Sequence, residues 1–213
     1  MAVAVGVCQV VYLPATFLLE SILTAPDYLI SVSANQTQVI IGVLGELTNA
    51  AAVAGIAILL FPILKKRNET LALWYVVFRA LEVVPYIVAD VNALSLITIS
   101  QEYVAAGAPD ASYFQAAGTL ALAQRYWVND VINPIFFVLN ALVFYYLLYQ
   151  TELLPRFISI WGFIAVALLI IGNVLGVSFS IIGLLFFLPI MSNEVFLSIW
   201  LIVKGFNPSA ITS

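Results

Sequence analysis

Arg79, Glu82, Tyr86 and Asp90 follow one another at intervals of three, four and four inside "FRALEVVPYIVAD", residues 78–90, a stretch otherwise apolar enough to cross a bilayer. At 3.6 residues per turn this spacing places all four on one helical face. Arg79 can anchor an anion, or pair with Glu82 three residues further on. The carboxylates can carry protons or bind a cation. A lipid-facing stripe of this kind would cost several kcal/mol per charge, so it is expected to face protein or a water-filled cavity.

A second polar stripe lies in "QRYWVNDVINPIFFVLN", residues 124–140, where Arg125, Asn129, Asn133 and Asn140 share a helical face and Asp130 sits at its edge. Pro134 cannot donate a backbone hydrogen bond and frees a carbonyl that could act as an oxygen ligand. Glu46 and Asn49 in "GELTN", Asn173, and Asn193 with Glu194 in "SNEVF" are further polar residues in apolar surroundings. Counting about 1.5 Å per residue from the span centres puts Glu46, Glu82, Asp90, Asp130 and Glu194 within about 8 Å of the midplane, with Arg79 slightly cytoplasmic and Arg125 nearer the outer surface. If these acids converge, two arginines cannot neutralise five carboxylates. In that case some of these groups must carry a proton, or a cation must be bound.

The elements that position these residues follow from composition. Of 213 residues, 64% are hydrophobic and only 8% charged, and mean hydropathy is +1.12; soluble domains are roughly 45–50% apolar. The chain reads as a single integral membrane domain over residues 1–213. Six runs of about 20 or more apolar residues predict an all-α, polytopic transmembrane bundle with spans near 2–24, 37–64, 70–99, 116–149, 157–179 and 183–204. Six spans put Lys65, Lys66, Arg67, Arg156 and Lys204 on one side, with Asp27, Glu102 and Asp110 on the other. Basic loop residues stay cytoplasmic, so both termini are expected there, in a multi-pass protein of the cell membrane. The first segment lacks a basic start and a cleavage pattern and reads as a retained helix. The faintest boundary is that between the fifth and sixth spans, marked only by Ser178, Ser180 and Gly183.

One cysteine, Cys8, and no histidine exclude a disulfide framework, Cys/His zinc sites, histidine-ligated haem and a Ser/His/Asp triad. No cofactor and no metal-ligand set is implied. Seven scattered Lys and Arg residues cannot form a nucleic-acid face. Trp74, Trp127, Trp161 and Trp200 read as interfacial aromatics, and Gly162, Gly172 and Gly176 as close-packing positions.

"LFPILKKRNETLALWYVVFRALE" at 60–82, "YYLLYQTELLPRFISIWGFI" at 145–164 and "NEVFLSIWLIVKGF" at 193–206 resemble domain-of-unknown-function family 4386, small polytopic membrane proteins of bacteria and archaea. The likeness rests on the Arg79 and Glu82 pair, the turn from Leu153 to Arg156, and Glu194 followed by Trp200 to Phe206. It implies a fold and a topology and draws attention to Arg79, Glu82 and Glu194. It implies no activity.

Three functions fit these observations. The first is a non-enzymatic binder or carrier of a small polar molecule, cation or proton, using Arg79, Glu82, Tyr86, Asp90, Glu46, Arg125, Asp130 and Glu194. The second is a structural subunit whose buried polar groups specify helix packing with an intramembrane protein partner or a second copy. The third is an enzyme that uses two carboxylates as acid and base or as ligands for Mg2+ or Mn2+, a reading weakened by the missing histidines.

Overall fold

The computed structural model describes residues 2–109, 113–175 and 181–208, with the side chains of residues 2–10 and 181 outside the description. Among the described residues the chain is helical and without strands. Its elements are α1 (Ala2–Leu23), α2 (Tyr28–Ala34), α3 (Gln36–Leu64), α4 (Glu69–Ala105), α5 (Tyr113–Tyr126), a π-helical turn (Trp127–Ile132), α6 (Asn133–Thr151), α7 (Arg156–Val174) and α8 (Ile181–Val203). Five helices are long and apolar enough to cross a membrane: Gln36–Leu64, Glu69–Ala105, Tyr113–Thr151, Arg156–Val174 and Ile182–Val203. Within α1, Val11–Leu23 is a shorter apolar segment.

Large apolar side chains cover the outside, among them Phe17, Ile41, Leu44, Ile58, Ile164 and Ile202, each more than half exposed. In water such a surface would be an aggregation patch, whereas against hydrocarbon it carries no penalty. Four charged side chains, Glu46, Glu82, Asp90 and Arg125, are by contrast buried, while the charges of the connections, such as Lys65, Glu102 and Arg156, are exposed.

The structure departs from the sequence expectation in three places. Residues 28–34, read as part of a connection, form α2 because Leu29 and Val32 drop into a core and draw the intervening backbone into helix. The fourth span is not one uniform helix. Its π turn precedes Pro134, and the Asn133 N–H bonds to the Val128 carbonyl five residues back, so the wider turn accommodates the proline ring. The boundary read at Ser178 and Ser180, like Gly176 and Asp110, lies outside the described residues; α7 ends at Val174 and α8 begins at Ile181.

Residues 7–53 with 81–134 form one compact unit, and residues 1–6 with 54–80 and 135–213 form another. The first is built on Leu19, Leu23, Val32, Val39, Val43 and Leu96, all nearly or fully buried. In it α1 approaches α3 at two glycines. A Cβ on Gly45 would stand 2.3 Å from the Ala15 Cβ, and one on Gly42 would stand 2.9 Å from the Leu19 Cβ. The second unit buries Leu147, Leu148, Leu153, Leu154, Ile158 and Ile190. There a Cβ on Gly162 would collide with the Tyr145 ring.

Candidate functional site

The close approach of α1 to α3 places the polar face of α1 beside Glu46. Tyr12, Thr16 and Glu20 recur every four residues along α1 and so share that face. Thr16 Oγ1 donates to Glu46 Oε1 at 2.9 Å. The Tyr12 ring meets the Tyr86 ring of α4 edge to face, with centroids 6.0 Å apart.

Arg125, from the last turn of α5, occupies the centre. Its Nη2 donates to both oxygens of Glu46, at 3.1 Å and 3.0 Å. The same nitrogen and Nε donate to Glu20 Oε1 at 2.9 Å and 3.2 Å. Nη1 points toward Asp90 Oδ1 of α4 at 3.5 Å, an ion pair without a hydrogen bond. Exposure falls from 42% for the Glu20 side chain to 4% for Arg125, 2% for Asp90 and 1% for Glu46. One guanidinium therefore faces three carboxylates, two of them shut away from solvent. No hydrogen bond of ordinary geometry reaches either Asp90 oxygen or Arg125 Nη1, although Asp90 lies close to the Glu46 carboxyl as well as to the guanidinium.

Six of the eight residues singled out from the sequence belong to this unit. Glu46, Asp90 and Arg125 meet directly. Tyr86 joins them through Tyr12, and Asp130, half-buried on the π turn, lies within electrostatic range of Glu20, Glu46 and Arg125. Glu82 is buried one turn from Tyr86, and its backbone carbonyl accepts from Asn133 Nδ2 at 3.2 Å. Arg79 and Glu194 belong to the other unit. Arg79 lies over the Tyr75 ring at 5.9 Å. Half-buried Glu194 accepts from Ser198 Oγ through its backbone carbonyl at 2.7 Å. Beside it, Asn193 accepts from the Tyr145 hydroxyl at 2.7 Å and donates to the Ile158 carbonyl at 3.0 Å.

Sequence reasoning missed Glu20, Thr16 and Tyr12. The signal was present, since an acid in "FLLESIL" preceded at intervals of four by a threonine and a tyrosine forms the same kind of stripe as the one on α4. Arg125, placed nearer the outer surface than the acids by helix counting, is in contact with two of them. That count ran along each span separately and took no account of how neighbouring helices are staggered. Among the described residues no group of three or more Asp, Glu or Cys side chains is placed to hold a metal ion.

Long apolar helices, an apolar exterior and an ionic cluster buried within it define a helical, membrane-embedded protein. The chain belongs to the family described as Domain of unknown function (DUF4386), whose model matches residues 2–205 and so takes in α1 and its Glu20. No curated protein and no solved structure matches it.

Proposed function

We propose that the chain crosses the cell membrane six times, with both termini in the cytoplasm, and acts as a non-enzymatic carrier or binder whose exchangeable group is Asp90. The five-to-zero bias of basic loop residues supports the orientation. One observation carries the functional reading: two buried carboxyl groups, Asp90 and Glu46, lie close together beside a single guanidinium, with Asp90 Oδ1 3.5 Å from Arg125 Nη1. Arg125 hydrogen-bonds Glu46 at 3.0 Å and only ion-pairs Asp90 at 3.5 Å, so of these two acids Asp90 is the one less committed to the guanidinium. Three carboxylates against one guanidinium leave a formal charge of −2, which calls for protons or a polar ligand at the site. Because the guanidinium fills the centre, the proton is favoured over a metal cation, with Arg125 as the internal counter-charge and half-exposed Glu20 as the way in.

The test is proton uptake into liposomes containing the purified protein and a trapped pH indicator, driven by an imposed membrane potential. Asp90→Asn should abolish uptake while its thermal unfolding midpoint stays at the wild-type value. Undiminished uptake in that variant would overturn the reading and leave the cluster as a packing device.

A further inference from the structure

We infer that the turn between α6 and α7, together with the end of α8, forms a site for a phosphate group, most simply that of an anionic phospholipid. The site is separate from the Asp90 cluster and does not depend on the carrier reading. A cavity of about 330 Å³ opens between residues 152–156 and residues 200 and 204–208, at the lower end of the roughly 300–1,000 Å³ typical of small-molecule sites. These two segments are the "TELLPR" and "WLIVKGF" motifs of the sequence, for which the ionic cluster has no use.

The backbone holds the cavity in shape. Gly205 ends α8 with φ of +69° and turns the chain back across the α6–α7 turn. The Asn207 N–H then donates to the Leu153 carbonyl at 2.9 Å, fixing one wall to the other. Leu153 and Leu154 are buried beneath.

Its chemistry suits an anion with an apolar attachment. Arg156 and Lys204 line the cavity against a single acid, Glu152, for a formal charge of +1. Each cation is supported on an aromatic ring, with Lys204 Nζ 4.3 Å above Trp200 and Arg156 Cζ 5.2 Å above Tyr149. Arg156 is tied to Glu152 yet remains 57% exposed, so part of its fork is open to a second anion. Pro155, at the N-cap of α7, offers no side-chain cap to the first-turn N–H groups, which adds a partial positive charge on the same side. Trp200, Leu154 and Phe206 supply apolar lining, as a glycerophosphate entering from lipid would need.

Native mass spectrometry of the full chain, stripped of lipid in detergent and titrated with phosphatidylglycerol or phosphatidylcholine of matched acyl chains, tests the inference. Wild type should bind one phosphatidylglycerol at least about tenfold more tightly than phosphatidylcholine, and Lys204→Gln and Arg156→Gln should each remove that preference. Lys65→Gln, a cation outside the cavity, should keep it. Lys204 is exposed, so its variant reports even if loss of the Arg156–Glu152 pair disturbs the turn. Displacement of the lipid by inorganic phosphate would assign the site to a soluble phosphate compound, and resistance to displacement would assign it to lipid. Equal binding of the two lipids, unchanged in both variants and unaffected by phosphate, would overturn the inference.

Discussion

Arg125 holds Glu46 through a single nitrogen, Nη2, which donates to both carboxylate oxygens at 3.1 Å and 3.0 Å. That economy leaves Nε to share Glu20 and turns Nη1 toward Asp90. One side chain from α5 thus engages acids from α1, α3 and α4, and the planar fork of a guanidinium is what allows three directions at once. The cluster is consequently both a junction of helices and a reservoir of unbalanced charge, and the two roles respond differently to substitution.

Removing Arg125 should be far more damaging than removing any one of its partners. Arg125→Gln leaves Glu46 and Asp90 buried without their counter-charge, a loss of about 3–5 kcal/mol for a broken buried pair. Arg125→Lys should fall between the two, since one ammonium cannot reach three acids. Thermal unfolding midpoints in detergent, ranked wild type, Lys and Gln, check this ordering. Equal midpoints would show that the pairs contribute no net stability.

Thr16→Val separates packing from the proposed proton carriage. The valine keeps the shape of the side chain and deletes the 2.9 Å hydrogen bond to Glu46, at a cost of about 1.5–3 kcal/mol for a bond to a charged group. Arg125 still neutralises Glu46 and the Asp90 oxygens are untouched, so proton uptake should persist at the wild-type rate while the unfolding midpoint falls. Loss of uptake together with stability would move the exchangeable group from Asp90 toward Glu46.

The legible part of the fold was the part written as period and composition. Runs of apolar residues located most ends of the long helices to within three residues, although α4 runs on past the expected 99 to Ala105 and α7 stops at Val174 rather than at 179. The interval of three and four along α4 picked out buried Glu82 and Asp90. What stayed hidden depended on neighbours. Asp27 to Ala34 looks like a breaker followed by a short mixed segment, and only the pocket that accepts Leu29 and Val32 makes it helical. The π turn was hidden because regular 3.6-residue counting through Pro134 assumes a backbone bond that proline cannot make. Glu20 escaped for a different reason: a single acid in an apolar helix has no partner in its own sequence, and the glycines that bring Glu46 to it, Gly42 and Gly45, lie on another helix.

Those glycines give a direct test of how the site is assembled. A Cβ on Gly45 would stand 2.3 Å from that of Ala15, so Gly45→Val should force α1 away from α3 and cost about 1–3 kcal/mol of overpacking. The displacement should also break the Thr16–Glu46 bond and lower proton uptake. Gly55→Ala meets nothing within 4 Å and should be neutral, or stabilising by up to about 1 kcal/mol through helix propensity. Unfolding midpoints and uptake rates measured side by side check both expectations, and a harmless Gly45→Val would show that α1 does not depend on this contact.

The buried Tyr145–Asn193 pair supplies a prediction independent of charge. Tyr145→Phe removes the donor 2.7 Å from Asn193 Oδ1 and leaves that oxygen buried, a loss of about 1–3 kcal/mol. The ring itself should stay in place, because Gly162 still provides the space beneath it. Asn193→Leu alone strands the tyrosine hydroxyl instead, while the double variant replaces both partners with apolar groups and should cost less than the two single changes summed. A double-mutant cycle of unfolding free energies measures that difference. A coupling of at least about 0.5 kcal/mol is expected for residues in contact, and strict additivity would mean that the hydrogen bond contributes nothing to holding α6 against α8.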